Sequence, residues 1–290
     1  MQPIDMKHVL AAVDFSDWTP PVLKAATEVA GRYEAKLTAI YTEMVFPPAY
    51  YGEEALVNIR KIMDEEQNRA EQHLLGAVQK EVGDKVPFET TVLQAMPAEG
   101  ILRTASEVEA DLIVLGTHGR SGVSRLLMGS VAEKVVRQAK VPVLTVHGME
   151  KDVSAFQKVL CPVNFTNAAL DSLQYAANFA HRFGAELVVM NSLEEEPEAL
   201  SEAVREYEQK LCEWIPEAVR AICHPRPVIR YGQAAAQVLR EAEEGEYDLI
   251  VIGAQHKPLL ETTIFGATSV QVMRHAKCPV LTVFRHKNGI

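Results

Sequence analysis

No apolar run in this chain of 290 residues reaches the ~18–20 residues that a membrane span requires. The stretch from Met1 to Lys7 carries no basic patch followed by an apolar block, so no secretory leader is read there and a cytoplasmic location is expected. Basic clusters are missing too. The net charge is −10, and no Lys/Arg stripe offers the counterion-displacing face of a duplex-binding protein, so nucleic acid is not an expected partner. An acidic chain still binds a phosphate ligand where backbone N–H groups and one or two arginines supply a local positive field. Cysteine is absent from the first half. Cys161, Cys212, Cys223 and Cys278 all lie in the second, without a C-x-x-C pair, which argues against a disulfide framework. Cys223-His224 is the one adjacent pair of metal-ligating types, and buried or incidental thiols are expected there rather than a zinc site.

What the chain does have is itself, twice. His8–Ser16 reads HVLAAVDFS and Lys158–Thr166 reads KVLCPVNFT; Asp111–Gly116 reads DLIVLG and Asp248–Gly253 reads DLIVIG; Ala139–Val146 reads AKVPVLTV and Ala276–Val283 reads AKCPVLTV. A repeat of this length fixes the architecture before any single element does. Length points the same way, since domains run to roughly 100–200 residues. The offset between halves is 150 at Asp14/Asn164 and 137 at Gly116/Gly253, so the first half carries 13 extra residues, in the region Glu43–Lys85. That region holds the Pro- and Tyr-rich segment Met44–Gly52, which either covers a ligand, joins an interface or is a plain surface loop.

Within each half, short apolar runs alternate with helical patterns. In the first half, strands are expected at Val9–Val13, Leu37–Tyr41, Glu89–Leu93, Leu112–Leu115 and Val141–Val146. Helices are expected from an N-cap at Thr19, with Pro20 as first residue, to a stop at Gly31; from Glu53 to about Val82; at Ala98–Val108; and at Ser130–Gln138. The second half repeats the scheme. Continuous β-branched runs separated by helices argue for parallel sheets covered on both faces. The boundary falls near Gly148–Ala155, giving domains 1–148 and 155–290.

Open parallel sheets bind ligands beyond the carboxyl ends of their strands. Asp14 follows the first strand. The fourth is followed by GTHGRSGVSRLLMGS, Gly116 to Ser130, in which Gly116, Gly119, Gly129 and Ser130 mark a Gly-x2-Gly-x9-Gly-Ser skeleton. Glycines there let the backbone turn sharply and approach a ligand. Gly129 and Ser130 open a helix, whose unpaired N–H groups suit phosphate oxygens. Arg120 and Arg125 add charge or are simply solvated. The segment is neither a Walker A loop nor a dinucleotide fingerprint. On spacing alone, a tight strand-to-helix turn explains it as well as a phosphate site does.

Taken together, VDFS (Val13–Ser16), DLIVLGTHGRSG (Asp111–Gly122) and LMGSVAEKVVRQAKVPVLTV (Leu127–Val146) resemble the universal stress protein family over nearly the whole chain, twice. The resemblance implies an adenine-nucleotide α-hydrolase-like, Rossmann-like α/β fold, with a five-stranded parallel sheet in the order 3-2-1-4-5 and helices on both faces. It implies ATP as ligand: Asp14 near base and ribose, the backbone around Tyr41 on adenine, and the segment holding Gly116, Gly119, Arg120, Gly129 and Ser130 on the phosphates, often with Mg2+ or Mn2+ between them. It also implies domain pairing through the last strands, here Val141–Val146 with Pro279–Phe284, as an intrachain pseudo-dimer or in a homodimer. The family's role lies in survival under stress, usually without a defined reaction.

The second half departs from that pattern. Its motif reads Gly253, Ala254, Gln255, His256, nine residues, Gly266, Ala267, and Asn164 replaces Asp14. A side chain at His256 intrudes where backbone would approach phosphate, and Asn164 carries no charge, so ATP binding there is expected to be lost or altered. The alternative, that the site tolerates these changes, stays open. Three functions compete: a nucleotide-binding stress protein with little or no turnover, a slow ATPase using His118, Arg120 or Arg125, and an interaction module with a different ligand in its second half.

Overall fold

The computed structural model describes residues 4–43, 53–117, 128–147, 156–194, 200–256, 263–264 and 266–284; for 53–60, 200–204, 255–256 and 263–264 it describes the backbone alone. The segment Met44–Gly52, Arg125, and His118, Gly119 and Arg120 of the glycine motif lie outside the described residues.

The first half runs β1 (His8–Val13), α1 (Thr19–Tyr33), β2 (Lys36–Glu43), α2 (Glu53–Glu81), β3 (Phe88–Gln94), α3 (Pro97–Glu107), β4 (Leu112–Gly116), α4 (Ser130–Gln138) and β5 (Val143–Val146). The second runs β6 (Lys158–Pro162), α5 (Asn167–Phe183), β7 (Glu186–Leu193), α6 (Leu200–Trp214), α7 (Glu217–Cys223), β8 (Arg226–Tyr231), α8 (Ala234–Glu244), β9 (Leu249–His256), β10 (Thr263–Ile264), α9 (Ala267–His275) and β11 (Val280–Phe284). The strand path is β3-β2-β1-β4-β5-β11-β9-β6-β7-β8, so each half has the order 3-2-1-4-5 and the two sheets join edge to edge. Pairing is parallel within each half, apart from the short β10 on β9, and antiparallel at the β5–β11 seam.

The central strands are apolar because both faces are covered, as in Val9–Val13 of β1 and Leu112–Leu115 of β4, whereas the edge strands β3 (FETTVLQ) and β8 (RPVIRY) mix polar residues in and are partly exposed. Val9, Ala11 and Val13 of β1 belong to a core that also takes residues of α1, α2, α5, α6 and α7, whereas Leu10 and Ala12 belong to a second core with residues of α3, α4, α8 and α9. Each of these two cores runs through both halves.

The seam has a two-fold logic written in single residues. Leu144 pairs with Leu281, its own counterpart in the repeat, and both are fully buried. On one face Arg32 lies over the Phe183 ring at 5.5 Å and Arg182 over the Tyr33 ring at 5.3 Å, two equivalent cation–π contacts related by the repeat. The buried Tyr33 hydroxyl also hydrogen-bonds the Asn178 side chain at 2.7 Å. On the other face Glu133 accepts from Arg137 at 2.8 Å and from Arg274 at 3.5 Å, so one carboxylate joins two arginines that occupy the same place in the repeat.

Two local expectations fail for identifiable reasons. Helix α1 does not stop at Gly31; it runs to Tyr33, whose ring is buried in the seam, and closes at Glu34 with φ +55°. Its N-cap is Trp18, not Thr19, because the N–H of Thr19 already bonds the Ser16 carbonyl at 3.0 Å and Trp18 sits in helical geometry. The second half also diverges from the first: where α2 is a single helix of 29 residues, Pro216 separates α6 from α7.

Candidate functional site

Each half has a cavity at the carboxyl ends of its strands. In the first half it measures about 390 Å³, and Asp14, Tyr41, Gly116, Gly129 and Ser130 all line it. Residues drawn from four separate stretches of sequence thus converge because β1, β2 and β4 are neighbours and α4 starts beside the end of β4.

The junction is closed by hydrogen bonds. Thr117 N–H donates to the Val146 carbonyl at 3.2 Å, and Gly129 N–H donates to the Thr117 carbonyl at 2.7 Å, which brings the end of β4 against the start of α4. The first intrahelical bond of α4 runs from Glu133 N–H to the Gly129 carbonyl at 2.9 Å. The N–H groups of Ser130, Val131 and Ala132 therefore have no acceptor inside the helix, no side chain caps them among the described residues, and these three residues border the cavity. The helix dipole gives this end a partial positive charge.

Asp14 sits opposite. Its Oδ1 accepts from the Ser16 N–H at 3.1 Å and the Ser16 hydroxyl at 2.5 Å, a turn that fixes the carboxylate at the rim. The next residue, Phe15, has φ +60°, a left-handed backbone that costs a non-glycine residue of order 1 kcal/mol. Its ring packs on Tyr41 at 4.3 Å and on His73 at 4.2 Å, so aromatic contact holds the turn in place. Several wall residues carry no motif signal, among them Trp18, Thr19 and Glu43. Thr19 is 6% exposed and its buried hydroxyl has no hydrogen-bond partner among the described residues. Proximity to Asp14 in sequence was the available sign for Trp18 and Thr19.

The second half repeats the frame. Its cavity measures about 400 Å³. Asn164 Oδ1 accepts from the Thr166 hydroxyl at 2.7 Å, as Asp14 does from Ser16, and Phe165 repeats the left-handed backbone with φ +58°. Asn191 stands where Tyr41 stands in the first half. The strand after the motif's first glycine differs from expectation. β9 continues in extended form through His256, pairing with β11 as far as Ala254 and with β10 at Gln255 and His256. Gly253 itself is needed by packing: a Cβ there would lie 2.7 Å from the Ala168 carbonyl oxygen of α5.

Among the described residues no group of three His, Cys, Asp or Glu side chains could hold a metal ion. Cys223 Sγ donates to the Ala177 carbonyl at 2.9 Å, and burial pushes its thiol up to about 11 and that of Cys161 up to about 12, so both stay protonated at neutral pH. No described helix is long and apolar enough to cross a membrane.

The family model described as the universal stress protein family matches residues 6–147 and again residues 155–283. A universal stress protein of Methanocaldococcus jannaschii is 32% identical over 146 residues, spanning 50% of this chain and 85% of the relative. One of Mycolicibacterium smegmatis is 24% identical over 292 residues, spanning 95% of this chain and 96% of the relative, so it matches both halves together. The crystal structure of a universal stress protein from Archaeoglobus fulgidus has the same fold, with a TM-score of 0.73 at 21% identity over 98% of this chain and 100% of that one. The chain belongs to the universal stress protein family, as a tandem of two family domains.

Proposed function

We propose that this protein is an ATP-binding stress-response protein of the cytoplasm, built of domains 1–148 and 155–290, with the nucleotide held in the first. The observation that carries the reading is the convergence of Asp14, Tyr41, Gly116, Gly129 and Ser130 on one cavity bordered by the uncapped start of α4. The base and ribose lie toward Asp14 and Tyr41. The phosphates lie at the N–H groups of Ser130, Val131 and Ala132, where dipole and unpaired donors favour anions. Gly119 and Arg120 belong to the same segment and are assigned to the phosphates by the spacing of the motif. The ligand is ATP with Mg2+ or Mn2+, the ion carried by the phosphate oxygens. Turnover is slow or absent: phosphoryl transfer needs a positioned nucleophile and charge stabilisation, and the described lining supplies Asp14 and Glu43 but no base placed within the phosphate segment.

Calorimetry tests this directly. Asp14→Ala should weaken ATP binding about tenfold, the scale of one hydrogen bond to a charged group. Gly119→Val should abolish it by blocking backbone approach. Unchanged affinity in both variants would overturn the assignment of the site, and phosphate release near the ~10 per second of a median enzyme would overturn the assignment of slow turnover.

A further inference from the structure

We propose that His73 of α2 is a positioning residue of the first cavity: its ring clamps Phe15, and the clamp holds the turn that presents Asp14 to the ligand. The proposal rests on the ATP reading for what the turn serves, while the hold on the turn itself is measurable without nucleotide.

The turn after β1 has to be held. Phe15 has φ +60°, a backbone region that residues with a side chain avoid. A residue keeps such geometry only where its surroundings enforce it. The hydrogen bonds from Ser16 to Asp14 Oδ1 lie within the turn. The hold from outside is on the Phe15 ring. Tyr41 of β2 packs against it at 4.3 Å, tilted by 39°. His73 stacks on it at 4.2 Å, with the two planes 23° apart. Stacked rings attract one another beyond the area they bury. His73 has a fixed base to act from: it is exposed itself, but Leu74, Val78 and Val82 of the same stretch are buried and tie the helix to the core.

The second half repeats the turn without this clamp. Phe165 has the same left-handed backbone, with φ +58°. Asn191 stands where Tyr41 stands. The buried ladder Leu74, Val78 and Val82 recurs as Leu211, Ile215 and Val219, and by that ladder Lys210 takes the place of His73. Phe165 meets Trp214 edge-on instead, with ring centroids 5.5 Å apart and planes at 89°. Exposure follows the difference: Asp14 and Phe15 are half-buried, whereas Asn164 and Phe165 are exposed. The stacked histidine thus belongs to the half that carries the acidic residue and the complete glycine motif.

The test uses the full chain carrying Trp214→Phe. That leaves Trp18 as its one tryptophan, and Trp18 reports on the turn because its N–H donates to the Ser16 hydroxyl at 3.3 Å. Without nucleotide, His73→Ala should shift the Trp18 emission, and His73→Phe, which keeps a flat ring, should restore it. Titration with ATP then reads the consequence. His73→Ala should weaken binding about two- to tenfold, the scale of one aromatic contact, and His73→Phe should bind as the parent does. In an Asp14→Ala background, His73→Ala should change affinity by less than about twofold, because the turn no longer presents a carboxylate. A parent chain that bound no ATP would bring down the ATP reading, and the emission measurement would still decide whether His73 holds the turn. Unchanged emission or unchanged ATP affinity in His73→Ala, a His73→Phe variant as weak as His73→Ala, or an equal loss in the Asp14→Ala background would overturn the proposal.

Discussion

Gly253 and Gly266 look alike in the motif of the second half, and they are there for different reasons. Gly253 lets α5 sit against β9, with the Ala168 carbonyl oxygen 2.7 Å from where a Cβ would be. A Cβ at Gly266 would meet nothing within 4 Å among the described residues. Gly253→Ala should therefore destabilise the protein by about 1–3 kcal/mol, the usual cost of overpacking against backbone that cannot step aside. Gly266→Ala should change stability by less than about 0.5 kcal/mol. Urea denaturation of the two variants separates the roles, and equal effects would show that the packing argument is wrong. The same contrast marks the limit of sequence reading at this scale. A glycine's letter does not say whether a helix or a ligand needs the room. The change from Asp14 to Asn164 was legible as a loss of charge, but the turn that both residues make with the hydroxyl two positions on was not. That the Thr19 hydroxyl and the Asn191 Oδ1 have no hydrogen-bond partner among the described residues had no sign in the sequence, since it is a property of three-dimensional packing.

At the scale of elements, the seam between the halves is built from equivalent pieces, and Glu133 is where the symmetry breaks. Its counterpart in the repeat is Val270, so one carboxylate serves both Arg137 and Arg274. The hydrogen bond from Arg137, with the charges of Arg137 and Arg274, holds its carboxyl below the ordinary value of 4.5, against a smaller opposing effect of burial. A lowered value in the folded state means a contribution to stability that is present above pH 4.5 and is lost as pH falls through the folded-state value. The side chain is 33% exposed and so screened by solvent, which keeps the contribution small, about 0.2–1 kcal/mol. Glu133→Gln should be less stable than wild type by that amount at pH 7, and the gap should close in acid. A gap that holds constant with pH would show that the ion pair contributes nothing through charge. Strand and helix identities were legible for nearly every element of the first half because apolar runs and helical faces are local signals. What escaped was set by the partner half or by pairing: the last turn of α1 is held by burial of Tyr33 in the seam, and β9 runs past Ile252 because β11 pairs with it to Ala254 and β10 with Gln255 and His256.

Across the whole molecule, the duplication produced two matching frames and two unlike cavities. The order 3-2-1-4-5 recurs, the left-handed Phe15 recurs as Phe165, and Leu144 meets Leu281 at the centre of the seam. The helices whose starts border the two cavities, α4 and α9, touch each other through the Glu133–Arg274 pair. Against that shared frame, the first cavity is lined by Asp14 and Glu43, and the described lining of the second has no ionisable side chain. The repeat and the degenerate second motif were both visible in the sequence, whereas the survival of the second cavity at nearly the same volume was not, because a cavity is defined by what packing leaves empty. The central claim is that the asymmetry concerns ligand and not fold. Titration of ATP into the full-length wild type measures it most directly. The account predicts one ATP per chain, lost in Gly129→Phe and unaffected by Gly266→Phe; two equal ATP sites per chain would contradict it.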